Sequence, residues 1–218
     1  MITSTTVDLY CGTFYHIHNM EDQTRQRIQK YIESHSGIIH TSDFQKSGLH
    51  NLYLARLVKE GAIIQIKPGL YISSEVQTLS GFFEIQIALP RSVICLASAL
   101  AYYELTTYEP PSVHVAIPRG DRTKPPNFPP IRRFSFSSKR HQLGVTTVEI
   151  EGQVINIYDR EKTICDAVRF RRALGQDVVN ETIRNYLQLR EKRVDLVLEY
   201  ARILREETPV RTYLRISA

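Results

Sequence analysis

The run GLHNLYLARLVKEG, residues 48–61, sets an amide, Asn51, a guanidinium, Arg56, and an apolar Leu52 within six positions of one another. An asparagine amide offers a donor and an acceptor side by side, the complement of adenine N6 and N7. An arginine fork matches guanine O6 and N7, and a leucine suits the methyl of thymine. Lys46, Lys59 and Lys67 suit phosphate oxygens, and His50 is placed either to cap a helix or to reach a phosphate. With Tyr53 on the flank, the candidate DNA contacts are Lys46, His50, Asn51, Leu52, Tyr53, Arg56, Lys59 and Lys67. The competing reading of these residues is the solvated face of a scaffold or of a protein-contact module.

Three helices and a hairpin are predicted to hold this set. DQTRQRIQKYIESHSG places Ile28, Tyr31 and Ile32 on one helical face, with Asp22 as a candidate N-cap and Gly37 as a stop. IIHTSDFQKSG reads as two apolar residues, a Thr41/Ser42 cap and a short helix ended by Gly48. The run from His50 to Glu60 is expected to bury Leu54, Leu57 and Val58, leaving Leu52, Arg56 and Lys59 opposite and Asn51, Tyr53 and Glu60 on the flanks. AIIQI and LYI then form a hairpin turned by Pro68-Gly69, which fits a type II turn, with Lys67 near its tip. Two-residue hairpins favour primed turns, so a longer loop is the alternative. A tight glycine turn between two helices, followed by a hairpin, is the winged helix-turn-helix arrangement, whose second helix of the pair enters a major groove.

From residue 81 the pattern changes. TLSGFFEIQIALPRSVICLASALAYYELT reads as two helices broken at Pro90. VHVAI (113–117) and RRFSF (132–136) read as strands, VTTVEIEGQVINIY as a hairpin turning at Glu151-Gly152, and the remainder from Asp159 as helices. The fold class is therefore α+β, with a winged helix-turn-helix over 21–77 and a larger mixed domain with a small sheet over 78–218. Residues 1–20 read as an extension, either weakly ordered or upstream of a true start at Met20.

Charge is divided unevenly. Residues 1–80 carry seven Lys/Arg and seven Asp/Glu, so the excess of five positive charges lies in the second part. Between 119 and 140 stand Arg119, Arg122, Lys124, Arg132, Arg133, Lys139 and Arg140 against one acid, Asp121, in a stretch rich in proline. Such a segment reads either as a basic arm for nucleic-acid phosphates or an acidic partner, or as a solvated edge loop.

No catalytic constellation stands out. YDREKT sets Glu161 and Lys162 side by side, without the gap of the D…E-x-K nuclease arrangement. His16 and His18 are the one close histidine pair, and no phosphate-cradling glycine loop or nucleophile elbow occurs. Asp166, inside an apolar helix, reads either as a buried general base or, the commoner case, as the partner of a neighbouring arginine such as Arg169. Cys11, Cys95 and Cys165 have no metal-ligand or disulfide spacing, and the last two are expected to be buried. No apolar run is long enough to span a membrane, no cofactor is implied, and the chain reads as a cytoplasmic non-enzyme.

Taken together, LARLVKEGAIIQIKPGLYI, SALAYYELTTYEPPSVHVAIPRG, GVTTVEIEGQVINIYDREKTICDAVRFRRALGQDVVNETIRNYL, LVLEYARIL and VRTYL resemble, in order and spacing, the AbiEi-type antitoxins of bacterial type IV toxin-antitoxin systems. The resemblance implies a winged helix that binds inverted repeats in its own promoter as a repressor. It implies a second domain that counters a nucleotidyltransferase-like toxin without requiring a stable complex, within systems of phage defence. Lys162, Thr163 and Asp166 match the family's KT…D pattern and are read as holding the fold. Tyr103 stands where relatives often carry histidine, and the winged helix here is neutral overall, so both domains are expected to hold DNA. The alternatives are a solitary winged-helix regulator without a toxin, or a second domain acting on RNA or nucleotides with the winged helix as scaffold.

Overall fold

The computed structural model describes residues 22–76 and 81–217. The extension over 1–20, with Met20, Cys11 and the His16/His18 pair, lies outside the described residues. The chain divides into two compact units, 1–79 and 80–218. The architecture is α+β, a winged helix-turn-helix followed by a larger mixed domain.

In the first unit α1 (Asp22–Ser34) buries Ile28 and Tyr31, and the chain leaves it through left-handed Ser36 and Gly37. The apolar pair that follows is part of a strand, β1 (Ile38–His40). α2 (Thr41–Lys46) then starts directly at Thr41, with His40 at its N-cap and no side-chain cap bond, so Thr41 and Ser42 are helical rather than capping. The Thr41 amide instead donates to Gly69 O at 3.0 Å, which ties the start of α2 to the wing turn.

Left-handed Gly48 turns the chain into α3 (Leu52–Lys59). That helix ends in a Schellman arrangement: the Ala62 amide donates to Leu57 O at 2.9 Å and the Gly61 amide to Val58 O at 3.1 Å, with Gly61 at φ +73°. β2 (Ile63–Lys67) and β3 (Leu70–Ser73) complete an antiparallel sheet of order β1-β3-β2. Lys67 pairs with Leu70 across the two-residue Pro68-Gly69 loop, and a bulge between Gln65 and Lys67 adjusts the strands to it. Gly69 at φ +82° fits the third position of a type II turn. Ile28, Ile39, Phe44, Leu54, Leu57 and Ile63 are the centre of this unit's core.

The second unit is built on a five-stranded mixed sheet. Before it comes α4 (Phe82–Ala88), and after Pro90 the two residues of β4 (Val93–Ile94) form its central strand, followed by α5 (Leu96–Tyr102). β5 (Val113–Pro118) and β6 (Ile131–Phe136) run parallel, and a short α6 (Ser138–Gln142) leads into the hairpin β7 (Val145–Ile150) and β8 (Gln153–Tyr158). The order is β6-β5-β4-β8-β7. The hairpin turns at Glu151 and Gly152, both left-handed, as a primed turn requires.

Alternation divides the strands between two faces. Ile94, Val115, Ile155 and Ile157 pack with Ile85 of α4, while Val93, Ala116, Phe134, Phe136 and Tyr158 join a larger core with the helices that follow. Those helices are α7 (Arg160–Arg169), α8 (Arg171–Leu174), α9 (Gln176–Gln188), α10 (Val194–Leu204) and α11 (Glu207–Ser217). Asp159 caps α7, its Oδ1 accepting from the Lys162 amide at 2.7 Å, and Tyr200 Oη donates to its other oxygen at 3.0 Å. Cys95 and Cys165 are buried and free. No described helix is long and apolar enough to cross a membrane.

Candidate nucleic-acid interface

The side chains singled out in the first unit do not share one environment. Leu52, the first residue of α3, is 72% exposed although it is large and apolar. His50 caps the helix: its Nδ1 accepts from the Leu52 amide at 3.2 Å. This fixes the ring at the mouth of the helix beside Leu52. Lys59 is exposed at the other end of α3, and Lys46 is exposed on α2, paired with Asp43 at 2.9 Å. Tyr53 and Lys67 are half-buried.

Two of the base-reading candidates are more constrained than an open face implies. Arg56 is half-buried, and its Nε donates to Glu60 Oε1 at 2.8 Å, an i,i+4 pair along α3. The Asn51 amide oxygen is buried without a hydrogen-bond partner. A bidentate pair with adenine would require that amide to rotate outward, because both of its polar atoms must face the base. Val58, expected in the core, is 38% exposed. Ala62 and Ile63, which follow the Schellman turn, are members of this unit's core instead.

The basic arm of the second unit is also not one patch. Arg119, Arg122, Lys124, Arg132, Arg133 and Lys139 are exposed, but Arg132 and Arg133 are successive residues of β6 and point to opposite faces of the sheet. Arg132 lies over the Phe134 ring at 5.4 Å from its centroid, and Arg133 Nη1 donates to Thr123 O at 3.3 Å. Arg140 leaves the group altogether. Its side chain is 14% exposed, Nη2 donates to Leu204 O at 3.0 Å, and the guanidinium lies 3.7 Å from Asp166 and 3.6 Å from Glu206. It holds helices together rather than facing a ligand.

Asp166 correspondingly pairs not with Arg169 but with Lys162, one turn earlier, and with Arg140; Arg169 pairs with Glu206. Lys162 and Asp166 are both fully buried, and the Lys162 ammonium lies 4.3 Å from the Tyr158 ring centroid and 5.0 Å from that of Phe136. Burial pushes the Asp166 carboxyl above its ordinary range in spite of Lys162. This pair is a structural feature of the core. Among the described residues no group of three or more His, Cys, Asp or Glu is arranged to hold a metal ion.

Arg91 is a charged group that local sequence patterns do not reveal. It stands between α4 and β4 and pairs through Nη2 with Asp121 Oδ2 at 2.8 Å, thirty residues away. Hydrogen bonds from Thr123 and then the Arg91 charge hold the Asp121 carboxyl down at about 2, below its ordinary 3.8. A depressed carboxyl stabilises the folded state above the unfolded value, and that contribution is lost as pH falls through the folded one. Asp121→Asn is therefore expected to flatten the stability profile between pH 3.8 and about 2, measured by urea unfolding at a series of pH values. An unchanged slope over that window would show that Asp121 is not held low.

Comparison with known proteins agrees with the geometry of the first unit. The family model described as "Transcriptional regulator, AbiEi antitoxin" matches residues 26–73. No curated protein matches the chain. Among solved structures, the Rv2827c protein from Mycobacterium tuberculosis has a similar fold, with a TM-score of 0.55 over 90% of this chain and 82% of that one, at 10% sequence identity. The matched segment runs from the first helix to the end of the wing, and over that segment the chain is similar to the transcriptional regulators of the AbiEi antitoxin family.

Proposed function

We propose that the protein is the antitoxin and autorepressor of a type IV toxin-antitoxin system. Its winged helix binds inverted repeats in its own operator, and its second domain counters a nucleotidyltransferase-like toxin. The observation that carries the DNA reading is Leu52. A leucine left in water at the first turn of a helix that follows a glycine turn loses its burial energy, and a thymine methyl in the major groove is a partner that restores it. The exposed lysines Lys46 and Lys59, and Lys67 at the wing, supply phosphate contacts, and Arg56, oriented along α3 by Glu60, reads guanine. Because residues 1–80 carry no net charge, the exposed arginines of β6 add phosphate contacts from the second domain.

The test is fluorescence anisotropy of the full chain on its upstream region and on an unrelated fragment, across a salt series. Leu52→Ser and Arg56→Ala are expected each to weaken operator binding by about 1 to 3 kcal/mol while changing the unrelated fragment little. Lys59→Gln, or Arg132→Gln with Arg133→Gln, is expected to weaken both fragments and to reduce the salt slope by about 0.9 for each phosphate that is no longer neutralised. Equal affinity for the two fragments, unmoved by Leu52→Ser, would reduce the winged helix to a scaffold. The toxin half of the reading is tested by co-expression with the gene next to this one in its operon. Growth arrest relieved by the second domain's presence supports it, and no arrest favours a solitary regulator.

A further inference from the structure

The second domain contains a cavity of about 550 Å3 where β4 begins and β5 ends, bordered by α6. Its charged lining is cationic throughout: Arg91 and Arg119 contribute guanidinium groups, and no carboxylate lines it. Asp121 pairs with one nitrogen of Arg91 from outside the lining and so fixes that arginine while leaving its remaining donors open. The backbone under both arginines is held as well. The His141 ring bonds Arg91 O through Nε2 at 2.9 Å, and the Arg119 amide donates to Phe136 O at 2.8 Å.

Two further features separate this cavity from a solvated groove. Ser92, on its lining, is buried to 1% exposure and its hydroxyl oxygen has no hydrogen-bond partner, which is destabilising unless a ligand or solvent satisfies it. The walls pair flat apolar surface from Pro90, Pro118 and Val145 with the carboxamides of Gln142 and Asn156. Two arginines, apolar wall residues and a few amides, in a volume within the usual range for small-ligand sites, make a recognisable combination. It matches a ligand with a polyanionic end and a planar heterocycle that carries hydrogen-bonding edges.

We infer that this cavity binds a nucleoside triphosphate, with its phosphates on Arg91 and Arg119 and its base between the proline and valine walls, facing the amides of Gln142 and Asn156. The site lies wholly in the second domain and is independent of the winged helix, so it stands or falls separately from operator binding.

The experiment is calorimetric titration of the full chain with each of the four ribonucleoside triphosphates, and with the matching nucleoside as the phosphate-free control. At least one triphosphate is expected to bind one to one with a dissociation constant below about 1 mM, and its nucleoside at least about tenfold more weakly. Arg119→Gln, an exposed change that breaks no internal bond, is expected to weaken the triphosphate by about tenfold or more, as is Arg91→Gln. Arg172→Gln, an exposed charge change on α8, is expected to leave it unmoved. The proposal is overturned if no triphosphate binds, if both cavity variants bind as the parent does, or if Arg172→Gln weakens binding equally. It is also overturned if a ten-nucleotide single-stranded RNA binds more tightly than every triphosphate and displaces it, since the cavity would then serve a polymer.

Discussion

Asp166→Ala is expected to destabilise the second domain by about 3 to 5 kcal/mol, because it leaves the Lys162 ammonium fully buried without its carboxylate. The Tyr158 and Phe136 rings near that ammonium offer cation–π attraction, but an interaction of about 2 kcal/mol does not replace an ion pair in a dry core. Arg140, which lies against Asp166 and Glu206, would lose one of its two acidic neighbours at the same time. Urea unfolding followed by tyrosine fluorescence reads the change, and a loss below about 1 kcal/mol would mean that the lysine finds water on truncation of its partner.

The same argument has a converse. The Asp166 carboxyl is pushed above its ordinary range by burial, with Lys162 and Arg140 acting against that shift only in part. Its folded value lies above its unfolded value, so its contribution to stability is fully present below the unfolded value of 3.8 and is lost as pH rises through the folded one. Burial thus disfavours the ionised carboxyl by more than Lys162 and Arg140 together return. Replacing both partners by apolar residues of similar volume, Lys162→Met with Asp166→Leu, is expected to restore most of the stability that Asp166→Ala alone removes. The role of these residues in the KT…D pattern is then architectural, consistent with their complete burial.

What could be read from the sequence was what local chemistry decides. The Ile28 and Tyr31 face, the glycine stop at Gly37 and the Glu151-Gly152 hairpin all depend on neighbours within a turn or a strand. β4 was not legible, because two residues between two helices carry no periodicity; they become the central strand only through pairing with β5 and β8. β1 likewise exists because β3 pairs with it. At the candidate interface the exposure of Leu52 followed from helical spacing, and the Arg56 to Glu60 pair has the i,i+4 separation at which it could have been recognised. The inward turn of Arg140 was not accessible, since it is set by Leu204 and Glu206, which are distant in sequence. Composition showed where the arginines concentrate, and the alternation of β6 determines that Arg132 and Arg133 do not act on one surface.

Gly144→Ala is expected to cost the second domain about 2 to 6 kcal/mol, from backbone strain and overpacking acting together. Gly144 lies at φ +70°, between α6 and β7, where a side chain is strained whatever the space around it. A β-carbon there would also sit 2.5 Å from Lys162 Cβ, 3.0 Å from Lys162 Cγ and 3.2 Å from Asp159 Oδ1. None of these atoms can yield easily. Lys162 is held by its pair with Asp166, and Asp159 caps α7 while its backbone amide donates to Gly144 O at 2.8 Å. The glycine is thus the point at which the chain entering the hairpin passes directly over the buried ion pair. Gly152→Ala provides the matched control: it too is left-handed, at φ +76°, but nothing lies within 4 Å of its would-be β-carbon. It is expected to lose only the conformational part, about 1 to 2 kcal/mol. Equal losses at the two positions would assign the whole effect to φ and remove the close approach to Lys162 as a constraint on the fold.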